Sequence, residues 1–188
     1  IVVMSHAHTD HSYSAGVTGS PDIISWANGS SNGIDFTAHP TKHFPAGEEG
    51  ENHVMIWEAE GFKFAHMGDY GDTFSEEDSI ALAGTDFLFI PVGGHFTIDA
   101  AQANDIITSI NPSLVFPMHY RTPDHTPGFD DLATLEQANQ SLTYTISAYN
   151  SSWLAIDTDH LPEVEPTIYE PTASAELPGD LEVIDITA

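Results

Sequence analysis

Apolar residues fall along this chain in short runs and alternations. Ile1 to Met4 is an apolar run that reads as a buried strand. Pro21 to Trp26 fits a strand or a short helix, and Gly33 to Ala38 alternates as a strand ending at His39. Val54 to Ala59 and Phe62 to His66 form two strands that turn at Glu60-Gly61. Further strands are expected at Asp86 to Val92, Ser113 to Pro117, Tyr144 to Ser147 and Trp153 to Ile156. Three helices are expected. Ser75-Glu76-Glu77-Asp78 has the spacing of a capping box, with helix to about Ala83. Thr97 or Asp99 can cap a helix to Ile110 that buries Ile98, Ala101, Ile106 and Ile110. The third covers Phe129 to Ser141. Residues 28–33 are turn-rich and Pro40 to Asn52 reads as a loop.

Strands and helices alternate in the middle of the chain, with strand pairs at its edges. The fold class is therefore α/β, with mixed sheets flanked by helices. Residues 1–157 read as one domain. Residues 158–188, rich in proline and carboxylates, read as an acidic arm over that domain or a tail.

The charge balance is extreme. Lys42, Lys63 and Arg121 are the only Lys and Arg residues among the 188, against 29 carboxylates, for a formal net charge of -26. Such self-repulsion is relieved by concentrated salt, so a salt-adapted protein is expected, cytoplasmic rather than secreted. Long nucleic acid is excluded as a partner, because binding it needs many cationic contacts. No apolar run reaches the length of a membrane span. With no cysteine, any metal site must use nitrogen and oxygen ligands.

The chemistry begins where the first strand ends. His6, His8, Asp10 and His11 lie within six positions. Imidazole and carboxylate at this density suit zinc or a similar divalent ion. His6 and His8 can face one ion while Asp10 and His11 face a second. Further ligand types follow strand ends: His39 or His43, then Asp69, then His119. His39 directly follows a strand. His43 precedes a glycine-bearing loop. Seven ligands suffice for two ions if one carboxylate bridges them. His95, Tyr120 and Arg121 are weaker candidates for binding substrate. Asp99 is most simply a helix cap, His66 structural, His53, His125 and His160 surface residues, and Trp26, Trp57 and Trp153 core.

Four stretches together resemble the metallo-β-lactamase superfamily of metal-dependent hydrolases, in its lactonase-like branch. They are His6-Ala7-His8-Thr9-Asp10-His11, His66-Met67-Gly68-Asp69, Ile90 to Asp99, and Pro117-Met118-His119-Tyr120. The resemblance implies an αβ/βα sandwich. It implies one metal on His6, His8 and the middle histidine, a second on Asp10, His11 and His119, and Asp69 bridging them. For the middle histidine His43 is preferred to His39, because a histidine followed by a glycine-rich loop and a strand resembles the branch's pattern. Zinc is the first choice, with manganese or iron as alternatives. The implied activity is hydrolysis of a small ester or lactone by a metal-bridged hydroxide, with Asp10 and Asp69 as catalytic carboxylates. Small-substrate phosphodiesterase or β-lactamase-like activity is the alternative chemistry. The family's N-terminal strands precede the histidine cluster, which here begins at position 6. The N-terminal part is thus expected to be missing or supplied elsewhere, by a second copy or a partner, and a non-catalytic partial subunit is the rival reading.

Overall fold

The computed structural model describes residues 1–43, 50–123, 128–144, 146–149 and 167–171. Strands β1 (Val2–Met4) and β2 (Ile23–Ser25) pair in parallel as a small sheet. The main sheet has eight strands: β3 (Gly29–Ser31), β4 (Ile34–His43), β5 (Gly50–Ala59), β6 (Phe62–His66), β7 (Phe87–Pro91), β8 (Leu114–Met118), β9 (Ile146–Tyr149) and β10 (Thr167–Pro171). Their order is β3-β4-β5-β6-β7-β8-β10-β9. Pairing is antiparallel from β3 to β6 and parallel from β6 onward. Parallel neighbours need crossover connections. Helix α1 (Glu76–Leu82) crosses between β6 and β7, and α2 (Ala100–Ile110) between β7 and β8. A third helix, α3 (Leu135–Asn139), follows β8. This is the mixed α/β architecture that the strand and helix pattern implies.

The alternation of side chains along β5 separates two cores. Val54 and Ile56 join Leu88, Ile90 and Val115 beneath Leu82, Ala103, Ile106 and Ile107 of the helices. Met55 and Trp57 face the other way, with Phe36 and with Ile24 of β2. Burying each large apolar side chain stabilises the fold by about 2 kcal/mol. All five residues of β7 are buried, as expected of a central strand covered on both faces.

Helix starts follow their local chemistry. Ser75 and Asp78 form a capping box on α1, and Asp99 and Gln102 form one on α2. Asn111, left-handed at φ 52°, ends α2 before Pro112. Within α2 the buried residues are Ala100, Ala103, Ile106 and Ile107. Ala101 is exposed and Ile110 only half-buried, so the apolar stripe is rotated from the expected one.

Three other expectations are corrected. Strand β4 runs through Pro40 to His43 rather than stopping at His39. Strand β3 covers β4 only as far as Phe36, so beyond it β4 has an edge that tolerates a missing N–H. The helix expected at Phe129 to Ser141 is confined to Leu135–Asn139. Ahead of it, the Ala133 N–H donates to the Gly93 carbonyl and the Ala133 carbonyl accepts from Arg121 N–H, which hold that backbone out of a helix. Within the expected acidic arm, Thr167–Pro171 is a strand of the main sheet, between β8 and β9. Trp153 to Ile156, His125 and His160 lie outside the described residues.

Candidate metal centre

Ligand-bearing loops leave several strands and meet in one place. After β1, Ser5 and His6 are buried and the chain turns tightly, with His11 N–H donating to the His8 carbonyl at 3.0 Å. That turn brings three imidazoles together. The His6 ring centroid lies 4.8 Å from that of His8, 4.4 Å from that of His11 and 5.1 Å from that of His43. Ligand atoms of His6, His8 and His43 all lie within 4.8 Å of one another, and so do those of His6, His11 and Asp69.

Asp69 is the hub. Its Oδ2 lies 2.8 Å from His43 Nε2, 3.3 Å from His11 Nε2 and 3.7 Å from His6 Nε2. Asn52, fully buried between strands, fixes it. Asn52 Oδ1 accepts from Asp69 N–H at 3.0 Å, while Nδ2 donates to the Met67 carbonyl and to Thr41 Oγ1. Gly68 makes this approach possible. Its φ is 56°, and a β-carbon there would stand 2.5 Å from both Asn52 Oδ1 and Ser5 Cβ.

The electrostatics suit metal ligands. Burial lowers the His6 pKa to about 4, so its imidazole is neutral near pH 7. Burial also lowers that of His119. For Asp69, burial pushes the pKa up. The His43 hydrogen bond and the potentials of His11, His119 and His6 outweigh it and bring the value to about 2. The site thus holds an ionised Asp69 carboxylate near the neutral imidazoles of His6 and His119, the protonation state that divalent cations require. The Ser5 hydroxyl is 2.9 Å from His6 Nδ1 and orients the ring. His6 Nε2 and His119 Nδ1 are buried without a hydrogen-bond partner among the described residues. A buried polar atom left this way is costly, and a metal ion would satisfy it. The donor set therefore fits the implied ions.

The structure places the other expected residues unequally. His43 belongs to the cluster, whereas His39 turns away to Asp78 Oδ1 at 2.7 Å. His119, just past β8, belongs to neither ligand group, although Asp69, His11 and His43 act on its charge. Asp10 stands at the rim, its side chain 74% exposed and its Oδ2 3.7 Å from His11 Nε2, outside both ligand groups. His95 pairs with Asp131 and packs on Phe96 and Phe129. The Arg121 guanidinium donates to the Asp130 carbonyl, and Tyr120 packs against the main core. Trp26, expected in the core, is instead half-buried beside His8 and His53, and His53 is tied to the Ser5 carbonyl rather than being a plain surface residue. Asn52 escaped the sequence reading because its partners are distant in the chain, and Ser5 because a serine next to a histidine is no signal until the backbone turns its hydroxyl onto Nδ1. The one local hint was Asn52, a polar residue opening the apolar run of β5.

Residues 1–119 match the model of the beta-lactamase superfamily domain, and the chain belongs to that family. A UPF0173 protein of Pyrococcus furiosus is 38% identical over 92 residues, which cover 46% of this chain and 37% of that protein. A UPF0173 metal-dependent hydrolase of Thermoplasma acidophilum is 32% identical over 90 residues, covering 47% of this chain and 37% of that protein. The chain thus matches little more than a third of the length of these curated relatives. Its fold is that of a crystal structure from Thermotoga maritima, described as a candidate Zn-dependent hydrolase of the metallo-beta-lactamase superfamily. The TM-score is 0.68 and the identity 23%, over 91% of this chain and 81% of that one. Among the described residues no helix is long and apolar enough to cross a membrane.

Proposed function

We propose that this chain is a metal-dependent hydrolase with a two-metal site, acting on a small carboxylic ester or lactone. The observation that carries this reading is Asp69 Oδ2, which lies within 3.7 Å of imidazole nitrogens from His6, His11 and His43. His6, His8 and His43 would hold one cation, and Asp10, His11 and His119 the other, with Asp69 between them. A bound divalent cation supplies Lewis acidity, which acidifies water and polarises a carbonyl. The chain's own residues set the stage for that chemistry. Burial keeps His6 a neutral donor, and Ser5 and Asn52 hold His6 and Asp69 in register. Asp10, beside His11 and open to solvent, can orient the attacking water or carry a proton between the site and bulk. Ester or lactone is favoured over phosphoester because so few cations are available to hold a phosphate.

The partial match to UPF0173 metal-dependent hydrolases supports the reaction class. The test is turnover of 4-nitrophenyl acetate and a simple lactone by the zinc-loaded chain, beside His8→Ala and Asp69→Ala. Turnover lost in both variants is expected. Activity unchanged by both would overturn the assignment.

A further inference from the structure

A second feature lies against the metal cluster, and no metal ligand except His8 belongs to it. Ala7, His8, Trp26, Gly50, Glu51 and His53 line a cavity of about 260 Å³. Strand pairing explains why these residues meet. β1 and β2 are parallel, so their C-terminal ends lie side by side. The His6–His8 turn leaves one end and Trp26 leaves the other, with Trp26 N–H donating to the Met4 carbonyl at 2.9 Å. Strand β5 adds Glu51 and His53, two residues apart and so on one face. The His53 N–H donates to the Ser5 carbonyl at 3.0 Å and docks that strand onto the histidine turn.

Trp26 sits at φ 30°, a conformation that costs free energy for a bulky residue. Such strain persists where surrounding structure holds it, and it concentrates at ligand sites. Trp26 lines the cavity and does not join the core cluster that holds Trp57. An enclosed apolar cavity of about 150 Å³ accepts a benzene ring, so this larger one, partly open to solvent, has room for one. The lining residues include one tryptophan, two histidines and one glutamate, and no Lys or Arg. In the metal-free chain, Glu51 and a net charge of -26 oppose an anionic group.

We propose that this cavity is a recognition pocket for a neutral or cationic aromatic ring, carried by the substrate next to the bond that the metal centre cleaves. The placement beside the cleaved bond rests on the hydrolase reading above. Ring binding and its charge preference do not.

The test titrates the full chain, freed of metal by a chelator so that neither carboxylate nor amine can bind zinc, with benzylamine, benzyl alcohol and benzoate, following the Trp26 indole N–H resonance. Benzylamine and benzyl alcohol are expected to shift it, and benzoate to bind about fivefold more weakly than benzylamine. Glu51→Gln should narrow the benzylamine–benzoate gap by about fivefold, while Glu60→Gln, at the exposed turn after β5, should leave it unchanged. By calorimetry, Trp26→Ala should weaken benzyl alcohol binding about tenfold, and Trp26→Phe should restore most of it. Equal binding of benzoate and benzylamine would overturn the proposal. So would a gap indifferent to Glu51→Gln or equally sensitive to Glu60→Gln, or unchanged binding in Trp26→Ala. None of these readouts uses turnover, so absence of ester hydrolysis would sink the hydrolase reading and leave ring binding standing.

Discussion

A β-carbon on Gly93 would stand 1.9 Å from the carbonyl oxygen of His119. Gly93 leaves β7 and His119 leaves β8, two parallel neighbours whose ends are joined by Val92 N–H donating to the Met118 carbonyl at 3.1 Å. The contact is backbone against side-chain space, so no rotamer change relieves it. Gly93→Ala is expected to destabilise the chain by about 3 kcal/mol and to displace His119. Denaturant melts would read the first effect and zinc affinity the second.

His43 and His39 stand on the same strand and face different partners. His43→Ala should weaken zinc binding by about a hundredfold or more, because removing even a group that only orients a ligand costs 10- to 100-fold. His39→Ala should leave zinc binding intact and cost about 1–2 kcal/mol of stability, through its lost bond to Asp78. That carboxylate also accepts from the Tyr70 hydroxyl, the Ser75 N–H and the Ser75 hydroxyl. Burial pushes its pKa up, and these hydrogen bonds outweigh burial and hold it below the usual carboxylate range. Isothermal titration with zinc separates the two histidines.

Much of the site could be read from the sequence because its ligands sit where strands end. The histidine cluster follows an apolar run, Asp69 follows β6 and His119 follows β8, so topology alone gathers them on one edge. The choice between His39 and His43 was harder. Pro40 looked like the end of a strand, whereas an uncovered edge let β4 continue and carry His43 to the cluster. Trp26 looked like core because large aromatics usually are, and only the packing of β2 against β1 reveals that it lines a cavity. Asn52 could not be recognised, since its hydrogen bonds to Met67 and Asp69 depend on strand register.

His66 provides a pH test on a residue that is not itself a ligand, although burial is joined by the charges of His11 and Asp69 in setting its pKa. Burial lowers its pKa to about 4, and its Nδ1 accepts from Gly68 N–H at 3.1 Å. In the unfolded chain its pKa is about 6.5. The unfolded state therefore takes the proton first as the pH falls. This contribution to stability is fully present above pH ~6.5 and is lost as the pH drops through the window down to about 4. Between pH 7 and pH 5 the metal-free chain should lose about 2 kcal/mol more stability than His66→Phe. Urea melts at the two pH values check the difference, and parallel losses would contradict it.

A net charge of -26 makes stability depend on ionic strength. The melting temperature should rise steadily from dilute buffer to concentrated potassium chloride, as screening weakens carboxylate repulsion. A melting temperature indifferent to salt would remove the salt-adaptation reading.

Metal stoichiometry bears most directly on the whole account. The chain is equilibrated with zinc, dialysed, and analysed for zinc per polypeptide, beside Asp69→Ala prepared in the same way. The expected result is about two zinc ions for the wild type and at most about one for the variant, because Asp69 stands between both groups of histidines. A wild-type chain that retains no zinc, or a variant that retains as much as the wild type, would contradict it.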